Sequence, residues 1–376
     1  MSVRKRAWTT RGGAAKTAWV VDYVDQHGKR HIETFQRKKE ADAREAKAKV
    51  DVGKGIHIAP SESITVAEAA ANWLNRVKAD GRERSTLRQY ETHVHLHIAP
   101  RIGRIKLAKL TTAKIEEFRN SLLDQNEGLS RPLARKVLTS LKSLLRQAKY
   151  THLAIEVSIG RSTRDRRLEP GRDFPDAGEV KRLIQTATEG KQRVLLLTAA
   201  LTGLRASELR GLRWNDVDLK AGELHVRQRA DQFNEIGPPK SRTGTRMIPL
   251  APQLVQALKR WKLLCPNGDA NLVFPTRKGT IEYHANMLRS LTPVMQAAGV
   301  VMADGEPKYG LHAFRHFFAS WCINPKERGG RELPAKVVQH LLGHSSIVMT
   351  LDIYGHMFQE GGDRAELAEA ARLLLA

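Results

Sequence analysis

Leu341-Leu342-Gly343-His344-Ser345-Ser346-Ile347-Val348-Met349-Thr350-Leu351-Asp352-Ile353-Tyr354-Gly355-His356 is the stretch on which the reading of this 376-residue chain turns. A glycine after an apolar helical run ends the helix and releases a histidine. A short polar turn and a second helical segment then deliver a tyrosine. A phenol, with an ordinary pKa of about 10, is a poor nucleophile at neutral pH. It becomes useful where cations stabilise both the developing phenolate and the group under attack. Alone, Tyr354 means no more than a core tyrosine with one satisfied hydroxyl. Three other places in the chain offer cations that a phosphate could meet.

The first is Leu201-Thr202-Gly203-Leu204-Arg205-Ala206-Ser207-Glu208-Leu209. The apolar run Val194–Ala200 predicts a helix ending at Thr202-Gly203, and a new helix begins around Ala206. Arg205 then stands at a helix entrance, where backbone N–H groups and the dipole also favour an anion. Glu208 is placed to hold the turn or orient the guanidinium. The second is a hairpin over Glu223–Leu250, with strands at Leu224–Arg227 and Met247–Leu250 flanking Pro238-Pro239-Lys240-Ser241-Arg242-Thr243-Gly244. A lysine at such a tip can swing into a site and donate a proton, or it is a solvated turn residue. The third is Leu311-His312-Ala313-Phe314-Arg315-His316 before the apolar helix Phe317–Cys322, where His312 and Arg315 share one face.

Composition agrees with a polyanionic partner. The formal net charge is +23, with a pI near 10.2. The excess is spread along the chain, which suits a protein that wraps nucleic acid and releases counterions. Solubility alone is a poor reason for so much single-signed charge, because self-repulsion costs stability. No long basic amphipathic helix points to a membrane surface, and the apolar run near Val194–Leu201 is far short of a span. Two cysteines, Cys265 and Cys322, give neither a disulfide framework nor a thiolate zinc site. The N-terminus lacks the apolar core of a signal peptide, so a reducing, cytoplasmic setting is expected.

Residues 1–60 read as a small α/β module: a strand at Ala18–Val24, a turn at Gln26-His27-Gly28-Lys29, a returning strand at Arg30–Phe35 and a helix from Arg37 to about Val50. A helix on a two- or three-stranded basic sheet can present that sheet to a DNA groove, or it is an adaptor with solvated charges. A linker follows, from Val52 to Pro60-Ser61. Residues 64–155 read as an all-α domain. Thr65 caps its first helix with Glu68 three residues on, and Val66, Ala69, Ala70, Trp73, Leu74 and Val77 form one face. Asp80-Gly81 ends that helix, and further helices start at Ser85 or Thr86, at Thr111 or Thr112, and at Arg131 (to Tyr150). Pro100 and Gly103 break the chain. The alternating His93, His95 and His97 read as surface or groove residues. Ile159–Pro170, with Arg161, Arg164, Arg166 and Arg167, reads as a linker. Asp176 and Glu179 then open a mostly helical domain with a small antiparallel sheet, over 172–376.

Together these motifs resemble the tyrosine recombinase family, the phage-integrase type of site-specific DNA recombinase. The resemblance is close over about 172–360. Upstream, residues 64–155 resemble the family's core-binding domain and residues 1–60 the arm-binding domain of some phage integrases. The resemblance implies a catalytic set of Arg205, Lys240, His312, Arg315, His344 and Tyr354. It implies double-stranded DNA attachment sites as substrate, a homotetramer on DNA, room for a DNA-bending accessory protein, and neither metal nor cofactor. It also implies integration or excision of a phage or mobile element in a bacterial cytoplasm, on the nucleoid. Two features depart from the pattern. Tyr354 follows His344 by ten residues where many members have nine, and Asn324–Leu333 looks like a polar insertion.

In physical terms Arg205 and Arg315 can fork onto the non-bridging oxygens of a phosphodiester. Tyr354 attacks in line, and the resemblance implies that it stays attached to the DNA 3′ end. Lys240 is the candidate donor to the leaving 5′ oxygen, His312 assists proton movement at the tyrosine, and His344 hydrogen-bonds the phosphate. Two rival readings come from other classes. A metal-dependent nuclease would use the i,i+4 pairs His312/His316 and His340/His344, although no glutamate follows either first histidine. A DNA-binding protein without catalysis would have no use for the complete set of six residues. The terminal segment Arg364–Leu374 reads as a helix with Leu367, Ala371 and Leu374 on one stripe, packing either on its own domain or on a neighbouring protomer.

Overall fold

The computed structural model describes residues 1–9, 12, 15–25, 28–53, 63–125, 128–160, 167–358, 368 and 371–374, in two units, Met1–Thr163 and Arg164–Ala376. The linker residues 54–60 and Ser61, the turn residues 26 and 27, and the arginines 161, 164 and 166 lie outside the described residues. So does most of the expected terminal helix, of which residues 371–374 are helical.

In the first unit, β1 (Ser2–Thr9), β2 (Ala15–Val24) and β3 (Arg30–Phe35) form an antiparallel sheet in that order. The helix α1 (Lys38–Gly53) packs on one face, closing Val21, Tyr23, Ala41 and Ala48 into a small core. Arg44 from α1 ties the sheet down through Glu33 and the Tyr23 hydroxyl. Register places Arg4 opposite Val20 and Arg6 opposite Ala18, so these arginines stand on the face away from α1. The strand β1 carries little apolar signal of its own, because Val3 is its single partly buried residue.

The helical part of this unit contains α2 (Val66–Ala79), α3 (Arg84–Thr92), α4 (Ala99–Ile102), α5 (Thr112–Leu122) and α6 (Arg131–Gln147). The capping box at Thr65 and Glu68 is formed, and Val66, Ala69, Ala70, Trp73 and Val77 are buried as the periodicity predicts. Between α3 and α4 the chain does not break at Pro100. It widens into a π-helical turn over His93–Ile98 and continues to Ile102. A proline removes an amide and crowds the preceding turn, which a wider turn accommodates. That turn also corrects the reading of the histidines. His93 faces inward at 3% exposure, with Nδ1 2.8 Å from Ser140 Oγ on α6, while His95 is exposed.

The second unit is built on α7 (Ala177–Thr186), α8 (Lys191–Thr202), α9 (Ala206–Gly211), α10 (Pro252–Leu264), α11 (His284–Ala297), α12 (Leu311–Ile323), α13 (Ala335–Leu342) and α14 (Ile347–Tyr354). Asp176 and Glu179 form the expected capping box at α7. The strands β4 (Val217–Asp218), β5 (Glu223–Val226) and β8 (Arg246–Pro249) make a sheet in that order, with Leu224 opposite Ile248. The expected single hairpin is two. A small ribbon of β6 (Arg229–Ala230) and β7 (Ile236–Gly237) is inserted before the segment that carries Lys240. Arg210 anchors that ribbon through the Ala230 and Asp231 carbonyls. The Asn324–Leu333 segment folds back on α12, where the amides of Arg331 and Leu333 donate to the Trp321 and Cys322 carbonyls. It therefore serves as a C-terminal cap.

α8 runs through the core with Val194 to Ala200 buried, and ends at Gly203. Gly203 is left-handed (φ 61°), and a Cβ there would stand 2.4 Å from the Phe318 ring of α12. Only glycine permits both the conformation and the approach. That approach brings the loop carrying Arg205 against the helix carrying Arg315. No helix among the described residues is long and apolar enough to cross a membrane.

Candidate active site

Arg205 is the residue before α9, as its sequence predicts. One amide at that helix entrance, that of Arg205 itself, is taken up by a side chain of the same turn. Glu208 Oε2 accepts from the Arg205 amide (2.9 Å), and its Oε1 accepts from Arg205 Nη1 (2.8 Å). The second guanidinium nitrogen of Arg205 donates to the Gly343 carbonyl at 3.1 Å. Arg315, at the start of the second turn of α12, is 2% exposed. Its Nη1 donates to the Gly203 carbonyl (2.8 Å) and its Nη2 to the Leu342 carbonyl (2.6 Å). A third guanidinium, absent from the sequence-based set, completes the pattern. Arg246 of β8 is buried, donates from Nε to the Leu341 carbonyl (2.7 Å), and holds both oxygens of Glu208.

Leu341, Leu342 and Gly343 are consecutive at the C-terminal end of α13, where helical carbonyls lack partners and the dipole is negative. Gly343 ends the helix in the left-handed conformation (φ 64°), and a Cβ there would stand 2.8 Å from Arg246 Nη1. The expected Gly–His junction is therefore also the point on which three cations converge. Arg246 carried a readable signal, a charge in a strand between otherwise apolar inward positions (Val226 faces it across the pair).

His344 follows at once, 5% exposed, with Nδ1 2.9 Å from Thr350 Oγ1 of α14. Burial, then the charges of Arg315, Arg205 and Arg246, lowers its pKa to about 4. His312 on α12 keeps one edge open to solvent but is crowded by protein on its other sides; that partial loss of solvent, then Arg315 and Arg205, lowers its pKa as well. Burial pushes the Arg315 guanidinium down to about 9, with Arg205 adding to the shift, and it stays protonated at neutral pH. Tyr354 closes α14 at 1% exposure. Burial raises its phenol above the ordinary value, and the Arg315 charge draws it partly back.

The histidine against the phenol is His316. Its Nδ1 lies 2.7 Å from the Tyr354 hydroxyl, and His312 meets its ring edge-on with centroids 4.7 Å apart. Lys240 is exposed on the loop between β7 and β8, and the part of that loop buried against Arg246 is its base, at Gly244. Five of the expected residues (Arg205, His312, Arg315, His344 and Tyr354) thus surround the ends of α13 and α14 and the start of α12.

The chain matches the phage integrase family over residues 174–360 and the SAM-like N-terminal domain of phage integrases over residues 65–123. It is 26% identical to a XerC-like tyrosine recombinase of Caldanaerobacter subterraneus, covering 89% of this chain and 90% of that one. It is 23% identical to the ICEBs1 integrase of Bacillus subtilis, over 70% and 72% of the two chains. Two solved folds resemble it. The Tn1549 transposon integrase, in complex with a circular intermediate DNA, has a TM-score of 0.62 at 20% identity, covering 83% of this chain and 100% of that one. A lambda integrase dimer bound to a core site has a TM-score of 0.59 at 19% identity, covering 95% of each chain. Motif, fold and kinship agree that this chain belongs to the phage integrase family, the tyrosine recombinases, enzymes that transfer DNA strands.

Proposed function

We propose that Tyr354 is the nucleophile that cuts one DNA strand, and that Arg205, Arg315, His344, His312 and Lys240 serve that step. The observation that carries this reading is the meeting of Arg205 and Arg315 on neighbouring carbonyls, Gly343 and Leu342, in the stretch that also carries His344 and Tyr354. The backbone fixes these guanidiniums, and each has N–H groups left over for the non-bridging oxygens of a phosphodiester. Donors fixed beforehand stabilise the growing charge of the transition state without reorganising. Tyr354 Oη forms a bond to phosphorus as the bond to the 5′ oxygen breaks, leaving a 3′-phosphotyrosyl enzyme. Lys240, on its loop, gives the departing 5′ oxygen its proton. Attack by a second strand's 5′ hydroxyl reverses the step, so neither ATP nor a metal is consumed.

On this reading residues 172–376 are the catalytic domain, 64–155 clasp the core site, and 1–60 are an arm-type module. The module's sheet face, with Arg4, Arg6 and the exposed Trp8, is suited to a DNA groove. The substrate is an attachment site of a phage or mobile element, handled in the bacterial cytoplasm by four protomers on two duplexes, with a DNA-bending accessory protein where the site is long. A lambda integrase tetramer on a Holliday junction, with a TM-score of 0.56, supports the assembly. The test is incubation with a nicked suicide duplex made from the ends of the element that encodes the chain, followed by denaturing electrophoresis. A covalent adduct is expected, in chelator as well, and should vanish in Tyr354→Phe with DNA binding kept. An adduct that persists in Tyr354→Phe refutes the assignment.

A further inference from the structure

The phenol of Tyr354 is almost wholly enclosed, and among the described residues its hydroxyl has one hydrogen-bond partner, His316 Nδ1 at 2.7 Å. A buried hydroxyl proton must be donated somewhere. With no other acceptor among the described residues, the hydroxyl donates to Nδ1, an arrangement that puts the imidazole hydrogen on Nε2. His316 sits one residue beyond Arg315 and one turn beyond His312, so α12 presents its phosphate ligand and this imidazole from adjacent positions.

We infer that His316 is a catalytic residue, the base that takes the proton from Tyr354 as the phenolic oxygen bonds to phosphorus. The inference rests on Tyr354 being the nucleophile. In the forward step the Tyr354 O–H bond breaks and its proton passes to His316 Nδ1. The Oη–P bond forms, the P–O5′ bond breaks, and the departing oxygen is protonated by a separate donor, Lys240. In the reverse step the incoming 5′ hydroxyl gives its proton to Lys240, left neutral by the forward step, the O5′–P bond forms as the P–Oη bond breaks, and His316 returns its proton to the phenol. His312 braces the His316 ring edge-on instead of touching the phenol.

The surroundings fit a base that is idle without DNA. Burial, then the neighbouring His312 and Arg315, depresses the His316 pKa to about 4, against which Asp173 pulls upward; the Phe174 ring lies 6.4 Å away. At neutral pH the ring is therefore neutral and able to accept. A phosphodiester held by Arg205 and Arg315 brings a negative charge that raises the basicity of the imidazole when the proton has to move. Without that anion the phenol stays protonated, which keeps the free enzyme from presenting a phenolate.

The test is single-turnover cleavage of the suicide duplex by the full chain, with DNA affinity and thermal unfolding measured in parallel. His316→Gln keeps a hydrogen-bond acceptor for the phenol but cannot take its proton. Its cleavage rate should fall by about 10²–10⁴-fold with binding and unfolding unchanged. A substrate with sulfur at the 5′ bridging position needs no proton on its leaving group. It should restore Lys240→Ala and leave His316→Gln slow. Cleavage by His316→Gln within about threefold of the unaltered chain would show that acceptance alone suffices and would overturn the proposal. So would its rescue by the sulfur substrate. Loss of the adduct in Tyr354→Phe alongside fast His316→Gln sinks only the base assignment, whereas an adduct in Tyr354→Phe sinks the nucleophile itself.

Discussion

Arg246 is the residue whose replacement most directly probes the architecture of the site. Arg246→Met keeps the length and removes the charge. The guanidinium is fully enclosed and Glu208 is 3% exposed, so the pair belongs to the buried class. Four hydrogen bonds are lost, two to Glu208 and one each to the Leu341 and Gly244 carbonyls. Breaking such a pair from one side costs about 3–5 kcal/mol, because the surviving charge stays buried. Arg205 still touches Glu208, which favours the lower end of that range.

The pH dependence separates this mechanism from simple loss of packing. Burial pushes the Glu208 carboxyl up, but the hydrogen bonds and charge of Arg246, with those of Arg205, outweigh it and hold the group below its ordinary range. In the unaltered chain Glu208 therefore stabilises the fold above the ordinary carboxyl range, and that stability is lost only as pH falls through it. In Arg246→Met burial prevails and the folded carboxyl rises above its unfolded value. The penalty is then largest near pH 7 and shrinks towards pH 5 as the group is protonated. Pulse proteolysis in urea, with fragments mapped to 164–376, reads this unit separately from the rest of the chain. Adding Glu208→Gln should recover part of the loss, since the orphaned charge is gone while the amide can still hold Arg205. A deficit of equal size at pH 7 and pH 5, or a double variant as unstable as the two single losses added, would refute the reasoning.

Gly343→Ala should destabilise the catalytic unit by about 1–2 kcal/mol from the left-handed backbone alone. It should also slow cleavage, because the new methyl displaces Arg246 Nη1 and disturbs the carbonyl that holds Arg205. In the helical part of the first unit, Ser140→Ala leaves His93 Nδ1 buried without its partner and should cost about 1–3 kcal/mol by urea unfolding. Burial, then His97 and Lys136, already lowers the His93 pKa. The unfolded chain therefore binds the extra proton first, and this unit loses stability as pH falls below about 6.5.

What could be read from the sequence was whatever a local signal fixes. The caps at Thr65 and Asp176, the stops at Gly203 and Gly343, and the buried face of α2 follow from spacing within one helix. The motifs around Arg205, Arg315, His344 and Tyr354 each sit on such a signal, which is why their positions could be read before their meeting was seen. Features decided by distant partners were not legible. β1 earns its place by pairing with β2, since alternating cations hide its pleat. His93 turns inward because a π turn rotates it towards Ser140, 47 residues away. Arg246 meets Glu208 and Leu341 across 38 and 95 residues. His316 finds Tyr354 across 38, and from spacing alone it was hard to tell from the neighbouring His312.

The same distant contacts explain why a site this cationic is stable before any DNA arrives. Three guanidiniums and one carboxylate leave a surplus of about two positive charges in a small volume, a gathering that would repel itself in open water. The pKa of His344, lowered first by burial, is pushed down further by that field, since Arg315, Arg205 and Arg246 all act on it. What holds the cations is the last turn of α13, whose carbonyls at Leu341, Leu342 and Gly343 accept one guanidinium each. The helix end gains the partners it lacks, and the cations gain fixed dipoles in place of water. On the function proposed above, a phosphodiester supplies the missing negative charge to donors already in position, so its binding relieves a repulsion assembled on folding. That reading couples the stability of the α13 terminus to affinity for the scissile phosphate, and a change that loosens one should weaken the other.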